Sequence, residues 1–330
     1  MMYVMAAQPR PDSATPNERS SDPLVHAGAL TRLTPFDGAA TATVRGLGTM
    51  GRFLSFGLVG RAREAQLRRM QMELPRVDPA DPPWCAPGSA SWTIHGDASF
   101  AVGGVLALWT QALHPLALAG VMEHSDFAEH PIRRALRTGS FVYTTTFRPG
   151  SEAELCCAQV RQVHTRILGT APDGRRYAAG DPELLDWIHC ALLLSIARVW
   201  LLYGDRPDPA LLDAYVSEQA RVPRELGDPS PPDSWRALLD RLHEHRRALA
   251  VNEQTRWIGG WLARPELPGT LRMAMPAYRV LHTLSVAAAP AWVRSMWGAS
   301  MPVLPVRAAG RILLSGVGGL TGPYSSIPAA

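Results

Sequence analysis

The stretch over residues 184–203 constrains the fold more than any other part of the chain. It is the most apolar run in the sequence, yet Asp186, His189, Ser195 and Arg198 interrupt it. A membrane-spanning helix would have to hold the Asp186 and Arg198 charges in lipid, at about 3 kcal/mol apiece near the bilayer centre. A core helix is therefore expected, opened by Asp181-Pro182 and closed by Gly204. Everything else has to pack around it.

The flanking sequence reads almost wholly as helix. Residues 103–122 are apolar with Gln111 and His114 inside, and Pro115 should kink them. Pro131 suits the first turn of a helix running to Phe147. The turn Arg148-Pro149-Gly150 follows, then a capping box at Ser151 and Glu154, with a helix expected to end at Gly169. Further helices fit 209–222, 234–251, 270–288 and 291–297. SWTIHGD, around Trp92, could form one short strand or turn. No strand alternates with the helices, so the fold class is all-α. Residues 1–38 read as a disordered leader and 39–89 as an N-terminal helix (54–74) plus a proline-rich linker. The compact domain is expected over 90–314, followed by a flexible tail over 315–330.

Composition narrows the chemistry. All 33 basic residues are arginine, against 29 acidic residues and a net charge of +4. Without lysine there is no Schiff base, no phosphate-loop lysine and no ammonium base. Arginine can clamp or polarise, but it does not shuttle protons. The small, dispersed excess of charge argues against a nucleic-acid binder. The four cysteines lack CxxC spacing, and no signal-peptide core precedes them, so the chain is expected to be cytoplasmic.

Several motifs need weighing. Gly46-Leu-Gly48-Thr-Met-Gly51 resembles a dinucleotide loop, but an arginine-rich helix and a proline linker follow where a second strand should be. His164 shares an apolar helical stripe with Cys157, Val160, Ile167 and Leu168, where a histidine is more often a satisfied core residue than a ligand. His189 falls under the same caution. His243 and His245 point to different sides of a helix and cannot share a metal. No Glu-x-x-His pair supports a carboxylate-bridged metal site. Arg134, Arg137 and Thr138 share one helix face, which is either a solvated face or a pocket wall that binds an anion or polarises bound oxygen.

Five segments in order then carry a resemblance. They are Gln111-Ala-Leu-His114-Pro115, His124-Ser125-Asp126-Phe127, Arg134-Ala-Leu-Arg137-Thr138, Val163-His164-Thr-Arg-Ile-Leu-Gly169 and Asp181-Pro182-Glu-Leu-Leu-Asp-Trp187-Ile-His189. Together they resemble the catalytic domain shared by mpaB-type oxygenases and the rubber oxygenases called latex clearing proteins, over residues 92–203. Beyond residue 205 the likeness is only a helical pattern, and before 90 there is none.

The resemblance implies a distantly globin-like bundle holding haem b, with oxidative cleavage of carbon–carbon double bonds in isoprenoid substrates. By its pattern His164 is the proximal iron ligand, and Arg134 and Thr138 are distal polar groups that orient dioxygen. Gln111, His114 and His189 are candidate cofactor contacts. Latex clearing proteins carry a lysine just before that threonine, which can ligate the resting iron. Here the position is Arg137, which can keep the site open or bind a haem propionate. The expected partners are dioxygen and a small hydrophobic substrate containing an alkene. Two alternatives stay open: a haem protein that is not an oxygenase, and a cofactor-free helical interaction protein.

Overall fold

The computed structural model describes residues 81–125, 131–172, 174–266 and 269–321. The leader, the glycine motif at 46–51, the helix expected over 54–74 and the last nine residues lie outside them. In chain order the helices are α1 (Ala90–His95), α2 (Phe100–Gln111), α3 (Pro115–His124), α4 (Pro131–Phe147) and α5 (Gly150–His164). A two-stranded hairpin, β1 (Leu168–Thr170) and β2 (Arg176–Ala178), leads into α6 (Pro182–Tyr203). Then follow α7 (Leu212–Gln219), α8 (Arg221–Leu226), α9 (Trp235–His245), α10 (Glu253–Ala263), α11 (Met275–Ala288), α12 (Ala291–Met296) and α13 (Val303–Thr321). The protein is mostly helical, as its sequence predicts.

The expected core helix is α6. The Asp181 carboxylate accepts from the Glu183 N–H, and Pro182 occupies the first turn, where its missing N–H costs nothing. By length and apolarity α6 could cross a membrane, but 89% of its most apolar window is buried within the protein. Helices α2, α9, α11 and α13 pack on it, with α2 closest. That closeness depends on Gly103, because a Cβ there would lie 2.9 Å from the Ile196 Cα. Trp187, Trp200, Leu193 and Ile196 fill the surrounding core. Burying each such side chain contributes about 1.5–3 kcal/mol.

Two polar residues of α6 bond to main-chain carbonyls. The Ser195 hydroxyl donates to the Ala191 carbonyl at 2.7 Å. The Arg198 guanidinium donates to the Ala288 carbonyl at the C-terminal end of α11. Arg307 donates to the Ala287 carbonyl at 2.7 Å, and Arg294 to that of Ala289. Three arginines from α6, α12 and α13 therefore converge on carbonyls that a helix end leaves unpaired, where the macrodipole favours cations.

The differences from the sequence expectations have physical causes. Around Trp92 the chain is helical rather than a strand, because Ser89 caps α1 and the Glu218 carboxylate accepts from the N–H groups of Ala90 and Ser91. Pro115 breaks its helix outright, so α2 and α3 meet at 104°. The capping box at Ser151 and Glu154 does not form; α5 has no side-chain cap, and the Ser151 N–H is taken at 2.8 Å by Asp81. Helix α5 also stops at His164, five residues short of Gly169.

Gly169 sits instead in β1, opposite Tyr177, in a short hairpin between α5 and α6 where the sequence reading placed no strand. The Tyr177 side chain lies across Gly169 so closely that a Cβ there would overlap it. Three-residue strands are too short to show an alternating pattern. Helix α10 had no counterpart in the sequence reading, and α13 runs to Thr321 through the segment expected to be loose.

Candidate functional site

Helices α4 and α5 pack on each other across a two-residue connection, forming an αα-hairpin. At about 1.5 Å per residue, Arg134 and His164 both lie roughly 22 Å from the turn. The two motif residues, 30 positions apart in sequence, are thereby brought level at the open end of the hairpin. Arg137 and Thr138 lie on the same face of α4, half-buried like Arg134.

His164 occupies the last turn of α5 with 5% of its surface exposed. Burial lowers its pKa from 6.5 to about 4, so the ring is neutral at physiological pH. Neutral imidazole is the form that ligates a metal. The apolar stripe drawn from the sequence needs correcting. Cys157 is buried beside it, but Ile167 and Leu168 lie beyond the helix end, and Leu168 is exposed in β1.

His189 lies in the second turn of α6, buried and held neutral with a pKa of about 4. It lies close enough to His95 to oppose that ring's protonation. His95 itself is fully bonded, with Nδ1 2.9 Å from the Thr146 hydroxyl and Nε2 2.9 Å from the Tyr215 hydroxyl. Thr146 is near the turn of the α4–α5 hairpin, so His189 belongs to that half and His164 to the other. Two buried atoms here have no hydrogen-bond partner among the described residues: His189 Nε2 and the Thr144 hydroxyl on α4. Leaving each such atom unsatisfied costs about 1–3 kcal/mol.

Gln111 and His114 sit at the α2–α3 break. The Gln111 amide donates to the Ile188 carbonyl at 3.1 Å, and the Gln111 carbonyl accepts from Trp187 Nε1 at 3.2 Å. These bonds tie the end of α2 to the turn of α6 that carries His189. His114 caps α3, its Nδ1 accepting from the Ala117 N–H. Its pKa is lowered to about 3 by burial, with nearby His245 acting in the same direction.

Sequence reasoning passed over the neighbouring polar group. The buried Asp186 carboxylate accepts from His245 Nε2 at 2.6 Å and lies 3.2 Å from an Arg241 nitrogen. The His245 ring meets those of Trp187 and His114. An acid inside an apolar run was the available signal, because buried charges need partners. As expected, His243 and His245 part company, the first exposed and the second buried. His124 Nε2 donates to the Tyr177 hydroxyl at 2.8 Å, which in turn donates to Glu123. Asp126, Phe127 and His130 lie outside the described residues. Among the described residues no cluster of three or more His, Cys, Asp or Glu side chains could hold a metal ion.

A buried neutral imidazole on one helix, with arginines and a hydroxyl on the helix packed against it, is a set of groups that would suit an iron porphyrin. Comparison with known proteins gives a family for this arrangement. Proteins of Mycobacterium bovis and Mycobacterium tuberculosis, both described as uncharacterized, are each 26% identical over 212 residues, covering 58% of this chain and 83% of theirs. No solved structure matches. Residues 92–318 match the model of the ER-bound oxygenase mpaB/B'/rubber oxygenase catalytic domain, and the chain belongs to that family.

Proposed function

We propose that this protein is a haem b-dependent oxygenase that cleaves or oxidises a small, hydrophobic, alkene-containing molecule in the cytoplasm. The observation that carries the reading is His164, buried and neutral at the end of α5, level with Arg134 on the packed neighbour. Haem b, when bound, supplies an iron at which dioxygen is activated. His164 would hold that iron. Arg134 and Thr138 offer a permanent positive charge and a hydroxyl dipole to negative charge developing on oxygen, in an interior where such groups act strongly. Arg137 offers a guanidinium in place of a lysine amine, and its roles in this reading are to keep the site open to oxygen or to bind a haem propionate.

Cleavage of an alkene by dioxygen balances without a further reductant. The carbon–carbon double bond and the O–O bond break, and each carbon receives one oxygen as a carbonyl. The test is dioxygen uptake by the haem-loaded full chain with an isoprenoid alkene such as squalene, with carbonyl products analysed. Substrate-dependent uptake is expected, falling about 10²–10³-fold in Thr138→Val or Arg134→Gln. Haem-loaded protein that takes up no dioxygen with a panel of isoprenoid alkenes overturns the oxygenase reading.

A further inference from the structure

A second polar feature lies away from these residues, where the end of α10 meets α11. A cleft of about 580 Å³ is lined there by Ala263, Arg264, Arg279, His282 and Thr283. That volume falls within the usual range for small-molecule sites. Arg279, His282 and Thr283 share one face of α11 through their spacing, and Arg264 caps the C-terminal end of α10. The two helices are tied together by the Tyr278 hydroxyl, which donates to the Leu262 carbonyl. The His282 ring lies between Trp109 and Tyr278, with centroids 5.4 and 6.3 Å away. The cleft is thus built on a fixed aromatic support.

Its charge is unbalanced. Among the described residues no carboxylate lines it. Elsewhere Arg148, Arg221, Arg236 and Arg241 face carboxylates, and Arg198, Arg294 and Arg307 face helix carbonyls. The guanidinium groups of Arg264 and Arg279 have neither kind of partner among the described residues, and the shielded His282 Nε2 also has none. Two guanidiniums and a hydroxyl around one opening match the donor geometry that an oxyanion accepts.

We propose that this cleft is a binding site for a small organic oxyanion, a carboxylate or a phosphate ester, whose charge sits between Arg264 and Arg279 while its apolar part lies against Ala263. The site is independent of the haem reading, and its test needs no activity.

Calorimetric titration of the full chain at low ionic strength, with octanoate and separately with inorganic phosphate, reads it directly. Saturable binding is expected for at least one probe, weakened ten-fold or more in the R264Q/R279Q double variant. Binding of octanoate alone assigns a carboxylate, of phosphate alone a phosphate ester, and of both the shared oxyanion chemistry. Both side chains are exposed, so the double variant should keep the wild-type circular dichroism spectrum and melting temperature. No binding of either probe, or equal binding in the double variant, overturns the proposal.

Discussion

The contact between α2 and α6 and the contact between α4 and α5 are built on opposite terms. Along the first, backbones approach until only glycine fits at position 103, tryptophans fill the gaps, and polar groups are paired, Ser195 with the Ala191 carbonyl and Thr110, and Gln111 with the Ile188 carbonyl. In the second pair, α4 buries the Thr144 hydroxyl with no hydrogen-bond partner among the described residues, and α5 buries His164. Close-packed apolar surfaces hold a fold together, whereas buried polar groups cost stability unless something pairs with them. The first contact holds the fold together, and the second carries the proposed haem site.

Four experiments sharpen that contrast, in falling order of effect. Trp200→Ala removes one of the largest buried side chains of the α2–α6 region and should cost about 3–5 kcal/mol of stability in denaturant titration. A loss under 1 kcal/mol would mean that the core sits elsewhere. Asp186→Ala leaves His245 and Arg241 without their shared carboxylate, and about 3 kcal/mol should go with it. Unchanged unfolding there would show that the link between α6 and α9 is decorative.

Acid should act next. His95 and His114 are neutral in the fold, with pKa lowered to about 3 by burial, against roughly 6.5 in an unfolded chain. Below pH 6.5 the unfolded chain takes up these protons and the folded one does not. Stability therefore falls from about pH 6.5 down to about 3, by up to about 1.4 kcal/mol per pH unit for each ring, and these groups contribute no slope above that window. A stability curve flat from pH 7 to 5 would contradict the burial. The smallest change is Tyr177→Phe, which removes the hydroxyl joining Glu123 and His124 and should cost about 1 kcal/mol in thermal melts.

The sequence exposes the two regions unequally. Helix α6 and its ends were readable because a long apolar run between Asp181-Pro182 and Gly204 admits one structure. The start of α4 at Pro131 was readable for the same local reason. The strands around Gly169 were not, since they depend on Tyr177 folding back over the glycine, a contact between residues eight apart. Helix α10 packs on α3, and α13 on α6 and α11, contacts that no local pattern announces. Of the site residues, Arg134, Arg137, Thr138 and His164 were named by motif, but their common level follows only from the α4–α5 turn. Gln111 and His114 carry bonds that hold the α2–α3 break, a role their motif does not reveal. Asp186 and His245, 59 positions apart, pair only once α9 packs on α6.

The central claim is that the polar hairpin holds an iron porphyrin through His164, and an absorption spectrum of the haem-loaded full chain tests it most directly. The wild type should show a Soret band. In His164→Ala that band should be lost or displaced, while the far-ultraviolet circular dichroism stays helical. An unchanged Soret band in His164→Ala, or a wild-type chain that takes up no haem, would contradict the account.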